Sequence, residues 1–142
     1  MINYFHIGFT GTRNGMTEHQ KGVLRGCLKE MASETEYTLV AHHGDCVGAD
    51  KDFHDLCEEL DIEIVIHPPT KSSARAFCYS TRIHKPKSYL ARNRDIVNIA
   101  ELVIATPDGP ERTHSGTWST VRYAISQDKV TTVIGPTSEE IF

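Results

Sequence analysis

Three short stretches carry the residue types that hold phosphates: GFTGTRNG at residues 8–15, HGDCVGAD at residues 43–50 and THSGTWST at residues 113–120. Each mixes glycine with hydroxyl or charged side chains, and each stands between a strand-like run and a helix-like run. The first N–H groups of a helix have no partner inside it, and the helix dipole is positive there, so such a turn can receive an anion. Glycine lets the backbone approach a ligand closely. The first turn offers Gly11, Thr12 and Arg13, the second Gly44, Asp45, Gly48 and Asp50, and the third Ser115, Gly116 and Thr117. Asp50 has two readings, a first-turn acid that complements the dipole or an acceptor for a sugar hydroxyl or base. The third turn has three: a plain cap, a phosphate cradle, or an active site without its acid. Trp118 either packs in the core or offers a face on which a base stacks.

One such turn alone is more often just a cap. Three at one place point to a ligand, and the pattern around them says how they meet. Strand runs fall at residues 4–10, 37–42, 62–67, 101–107 and 130–135. Helix patterns lie between them. One opens at Thr17 with Gln20 as capping-box partner, one follows the second turn, one covers residues 89–100, and one follows SGTW. This interleaving predicts a single α/β domain: a doubly wound, Rossmann-like parallel sheet of about five strands in the order 3-2-1-4-5, with helices on both faces. Ligands of such sheets bind beyond the carboxyl ends of the strands, where the winding reverses between strands one and four. Residues 70–88 are polar and aperiodic, as lids, binding loops and disordered segments are. The tail, residues 136–142, reads as frayed or as a last packed turn.

The chain has 142 residues, 39% apolar and 24% charged, the balance of a soluble globular domain. Its apolar runs, such as IEIVI and ELVIA, are too short to span a bilayer, and the first residues lack the pattern of a signal peptide. Cysteines at 27, 46, 57 and 78 form no CxxC pair, which fits free thiols in the cytoplasm. The eight histidines contain no HxxxH or HExxH spacing, so structural histidines are expected and no metal. A net charge of −4 argues against a protein that coats nucleic acid. Residues 71–94 nevertheless hold seven bases and no acid, either a solvated basic loop or a positive rim over an anionic ligand.

The motifs GFTGTR and HGDCVGAD, with the block YLARNRDIVNIAELVIATPDGPERTHSGTWSTVRYA, give the whole chain a further meaning. Together they resemble the SLOG superfamily, the Rossmann-like group that includes LOG-type phosphoribohydrolases and DprA-type DNA-processing domains. GADKDF is similar to a small bacterial and phage branch of it. By this resemblance Arg92, beside Asn93, matches the family's functional arginine, and Gly116-Thr117 match its Gly-Thr pair. The family's preceding Gly-Gly falls on Thr113-His114, and its catalytic glutamate on Ser119 or Thr120. Cleavage of an N-glycosidic bond needs a carboxylate at the sugar, which serine and threonine cannot supply.

The resemblance therefore implies a nucleotide-type ligand held without cleavage and no cofactor. Phosphate would sit on Arg92, Arg13, Ser115, Gly116 and Thr117, and a sugar hydroxyl on Asp50. Two alternatives stand beside it. One is a nucleotide N-glycosidase using Arg92 and a displaced acid, with Asp45, Asp50 and Glu111 as candidates. The other is DprA-type binding of single-stranded DNA along residues 71–94. LOG-type proteins dimerise, so a homo-oligomer is implied. Loss of Arg92 is expected to weaken nucleotide binding by about 2 kcal/mol, one charged hydrogen bond.

Overall fold

The computed structural model describes residues 2–139, and in it the strand runs become one parallel sheet. Along the chain come β1 (Tyr4–Gly11), α1 (Glu18–Ala32), β2 (Thr38–His43), α2 (Ala49–Glu59), β3 (Glu63–Ile66), β4 (Arg82–Ile83), α3 (Tyr89–Ile99), β5 (Leu102–Thr106), α4 (Gly116–Ser126) and β6 (Val130–Val133). The sheet order is β4-β3-β2-β1-β5-β6, and all pairings are parallel. The winding reverses between β1 and β5, where Gly11 stands level with Thr106.

The sheet has six strands rather than about five. The extra strand, β4, is two residues long and pairs with β3 through Val65–Arg82 and Ile66–Ile83. Both of its residues are exposed, so no alternation of apolar and polar positions marks it in the sequence. It lies within the aperiodic stretch, which is a strap rather than a lid. A single 3-10 turn at Ser72–Ala74 starts it, and bridges tie Arg75 to Cys46 and Lys87 to Pro69.

Period-two alternation along the strands gives the sheet a core on each face. Ile7 and Phe9 join Leu24 and Leu28 of α1, Phe53 of α2, and Leu39, Ile64, Ile66 and Ile104 from the neighbouring strands. Phe9 stacks flat on Phe53, with ring centroids 4.2 Å apart. Fully burying a side chain of this kind contributes about 1.5–3 kcal/mol. On the other face Val103, Val97, Ala100 and Ala124 pack together, and Ala105 packs with Trp118 and Val121. The capping box at the start of α1 is formed: Thr17 Oγ1 accepts from the Gln20 N–H at 3.1 Å, and Gln20 Oε1 accepts from the Thr17 N–H at 3.0 Å. Thr17 also donates its hydroxyl to the Pro136 carbonyl at 2.7 Å, which fastens the start of the tail. Residues 140–142 lie outside the described residues. Among those described, no helix is long and apolar enough to cross a membrane.

Candidate functional site

The loops after β1, β2 and β5 meet at the carboxyl edge of the sheet around a cavity of about 470 Å³. A cavity at the reversal point of a parallel sheet is where this architecture places ligands. Gly11, Thr12, Arg13, Gly44, Asp50, Arg92, Asn93, Ser115, Gly116 and Thr117 line it, and Asp45, Gly48, Glu111 and Trp118 do not.

The turn before α4 is a helix cap that also opens onto the cavity. Ser115 is the cap, and its hydroxyl oxygen accepts from the Trp118 N–H at 3.2 Å. Gly116 and Thr117 occupy the first turn and line the cavity, where their N–H groups have no acceptor within the helix. Trp118 faces inward: it is buried, and its indole N–H donates to the Gly109 carbonyl at 3.1 Å. The aromatic wall of the cavity is Tyr89 instead. Arg13 lies over that ring, 4.8 Å from its centroid, and its N–H groups make no hydrogen bond within the described residues.

Arg92 is placed differently. It is 4% exposed, and its guanidinium is occupied by the protein itself. Nη1 donates to the carbonyls of Gly44 and of His67, the latter at 3.0 Å. Nε donates to Asn93 Oδ1 at 2.7 Å, and Nη2 reaches Cys46 Sγ at 3.6 Å. Gly44 permits this contact, because a Cβ there would overlap the guanidinium. Arg92 thus clamps the loop after β2 to the end of β3, and only part of its face is turned to the cavity.

Asp50 stands beside it in the first turn of α2, buried, with Oδ2 accepting from the Cys46 N–H at 3.1 Å. Burial raises its pKa to about 6, against the opposing pull of Arg92 and the Cys46 N–H. Of the three acids that could replace the family's glutamate, Asp50 alone lines the cavity. Glu111 is exposed and pairs with Arg122 at 2.9 Å. Asp45 is fully buried and holds the strap, accepting from Arg75 Nε at 2.7 Å and the Cys78 N–H at 2.9 Å. Gly48 is also structural. Its φ of +91° and its closeness to the Arg13 backbone leave no room for a side chain.

The cavity has a rim that the motifs did not reveal. Asp108, just beyond β5, accepts from Arg112 Nη1 at 2.8 Å and Asn14 Nδ2 at 3.0 Å. The Arg112 hydrogen bond, foremost, holds its carboxyl below the usual range. Asp108, Arg112, Asn14 and His114 all line the cavity. Asn14 and His114 belong to the first and third turns, whereas Asp108 and Arg112 lie in a connection that carries no sequence pattern.

Three of the seven bases of the segment are paired with acids. Arg75 pairs with Asp45, Arg82 with Glu63 at 3.5 Å and Lys87 with Asp95 at 2.5 Å, while Arg92 serves backbone carbonyls. Of the seven bases, only Arg92 lines the main cavity, so the segment does not form a positive rim over it.

Histidines form two hydrogen-bonded chains. His42 joins His6 and His67, each at 2.9 Å, and His67 stacks on His84 with centroids 4.3 Å apart. Burial, foremost, lowers the pKa of His42 to about 3 and that of His67 to about 4. On the opposite face of the sheet, His43, His54 and Cys78 bring ligating atoms within 4.8 Å of one another. Their hydrogen bonds do not fit a metal. The Asp45 N–H donates to His43 Nδ1 at 2.9 Å, which leaves the proton of the neutral ring on Nε2. That Nε2–H faces His54 Nδ1 at 2.9 Å, and His54 Nε2 reaches Glu58 at 3.4 Å. The lone pair a metal would take is already occupied by a proton.

The fold and site define a Rossmann-like α/β protein with a polar cavity at the sheet's reversal point. No protein-family model, curated protein or solved structure matches the chain.

Proposed function

We propose that this protein binds a nucleotide or a nucleotide-derived, ribose-phosphate-bearing molecule and holds it without cleavage, as a sensor or a sequestering protein. The observation that carries this reading is the convergence of the first turn of α4, Arg13 and buried Asp50 on one cavity at the β1–β5 reversal. A phosphate suits the unpartnered N–H groups of Gly116 and Thr117 and the free donors of Arg13. A sugar hydroxyl suits Asp50. The resemblance to the SLOG superfamily supports the same reading, and membership of it is part of the proposal. So are a homo-oligomeric state and a cytoplasmic location, which four free thiols favour.

A second reading, a nucleotide N-glycosidase, has one observation in its favour: Asp50 is a cavity carboxyl with a pKa of about 6, suited to acid–base work. DprA-type binding of single-stranded DNA is the less favoured alternative, since Arg75, Arg82 and Lys87 of the strap are engaged with acids and the net charge is −4.

The test is incubation with nucleoside monophosphates, NAD, ADP-ribose and cyclic nucleotides, followed by removal of unbound ligand, heat denaturation and chromatography. A compound retained and released intact is the expected result. Free base accumulating with time would replace binding by hydrolysis, and retention of no compound would remove the nucleotide reading.

A further inference from the structure

The groove between α3 and α4 holds a second cavity, of about 320 Å³. It shares one lining residue with the main cavity, Asn93, which stands between the two. The Asn93 carbonyl oxygen is taken by Arg92 Nε, and its amide N–H groups remain as donors at that junction. No acid lines the groove. Ser119 and Thr120, the positions at which the resemblance expects a glutamate, line this groove and not the main cavity. Arg122 also lines it, but its charge is met by Glu111. Arg94 has no carboxylate partner within the described residues, and its guanidinium lies over the Tyr123 ring, 5.1 Å from the centroid. That ring is fixed in turn, its hydroxyl donating to Asn98 Oδ1 at 2.8 Å. The groove therefore presents one positioned, uncompensated cation, with hydroxyl groups beside it and a donor leading in from the main cavity.

We infer that the α3–α4 groove continues the main cavity, and that the ligand carries a second phosphate group, which Arg94 receives. This rests on the nucleotide reading of the main cavity and narrows its ligand to nucleotides with at least two phosphate groups, a nucleoside diphosphate being the simplest. The charge pattern gives the reason. A guanidinium held on an aromatic face in an acid-free groove is placed to receive an anion, and a mononucleotide that fills the main cavity supplies none there.

The experiment is calorimetric titration of the full chain with the four nucleoside 5′-monophosphates and the corresponding nucleoside diphosphates, repeated on Arg94→Ala and Ser119→Glu. Both positions are exposed, so folding is not at issue. For the preferred base, the diphosphate is expected to bind roughly 30-fold more tightly than the monophosphate, the effect of one charged hydrogen bond. Arg94→Ala removes the advantage, Ser119→Glu reverses it by repulsion, and neither changes monophosphate affinity. Equal affinities in the unaltered protein, or an advantage that survives both variants, would overturn the inference and leave the nucleotide reading standing. Sedimentation of the same variants checks the other occupant: a changed oligomeric state would make the groove a contact between copies and overturn it too. If neither class of compound binds, the nucleotide reading fails with it.

Discussion

Arg92 Nη1 donates to the carbonyl oxygen of His67 at 3.0 Å, and that single bond ties α3 to the chain leaving β3. The same nitrogen serves the Gly44 carbonyl, so the residue that the family resemblance marks as functional is a clamp within this fold. Arg92→Ala is expected to lower stability on the order of 3 kcal/mol, because it leaves two buried carbonyls without their charged donor. Urea unfolding measures this. A variant with unchanged stability and lost binding would return Arg92 to the role of direct ligand.

Arg13 is the opposite case. It is exposed, rests on Tyr89 and gives no hydrogen bond to the described protein. Arg13→Ala is expected to leave the unfolding midpoint unchanged and to weaken a phosphate-bearing ligand by about 2 kcal/mol, roughly 30-fold. Calorimetry beside thermal melting separates the two effects, and equal affinity would take Arg13 out of the site.

Asp50 sets binding against stability. Its pKa rises from 3.8 to about 6 on folding, so the native state holds the proton more tightly than the unfolded chain. Stability from this group is present below pH 3.8 and is lost as pH climbs through about 6. Asp50→Asn is therefore expected to stabilise the protein at pH 8 by on the order of 2–3 kcal/mol and to have little effect near pH 4. On the proposed nucleotide reading, the same change is expected to weaken ligand binding at pH 8, where the ionised carboxylate is the stronger acceptor for a sugar hydroxyl. Melting curves at the two pH values, with titrations at pH 8, decide it; no stabilisation at pH 8 would refute the buried carboxylate's penalty.

The histidine chain works in the other direction. His42 and His67 have folded pKa values of about 3 and about 4, below the unfolded 6.5, so the fold prefers them neutral. Their contribution is complete above pH 6.5 and is lost as pH falls towards 4. His43, lowered well below 6.5, adds to the same loss. Three histidines outweigh Asp50, and the net expectation is a steep fall in stability between pH 6.5 and 4. Chemical unfolding across this range tests it. His42→Gln is expected to flatten the slope, and an unaltered slope would remove His42 as a cause.

Much of the frame was legible in the chain. Apolar runs alternating with amphipathic ones identified five of the six strands and the reversal between β1 and β5. Thr17 and Gln20 announced the start of α1, because a capping box is a local hydrogen-bond pattern. β4 was not legible, since two exposed residues have no period and are paired only because the strap lays them against β3. Tyr89 and Asp108 escaped for a similar reason. A helix-start tyrosine and a loop aspartate have no pattern until the sheet edge brings them to the cavity.

The sequence by itself determined the order of elements, the two-faced sheet and the three turns at its edge, because period, caps and glycines act over a few residues. Which members of those turns face the cavity was decided by tertiary structure. Asp45 and Asp50 share one loop and one chemistry. Asp45 takes a left-handed φ of +56° and turns inward to hold the strap, while Asp50 rides the first turn of α2 into the cavity. Arg92 likewise has the donors of a phosphate ligand, but two carbonyls, from loops 23 residues apart in the chain, reach it first. Their closeness is a property of the packed sheet, where burial makes an unpaired carbonyl costly and commits the guanidinium to the protein.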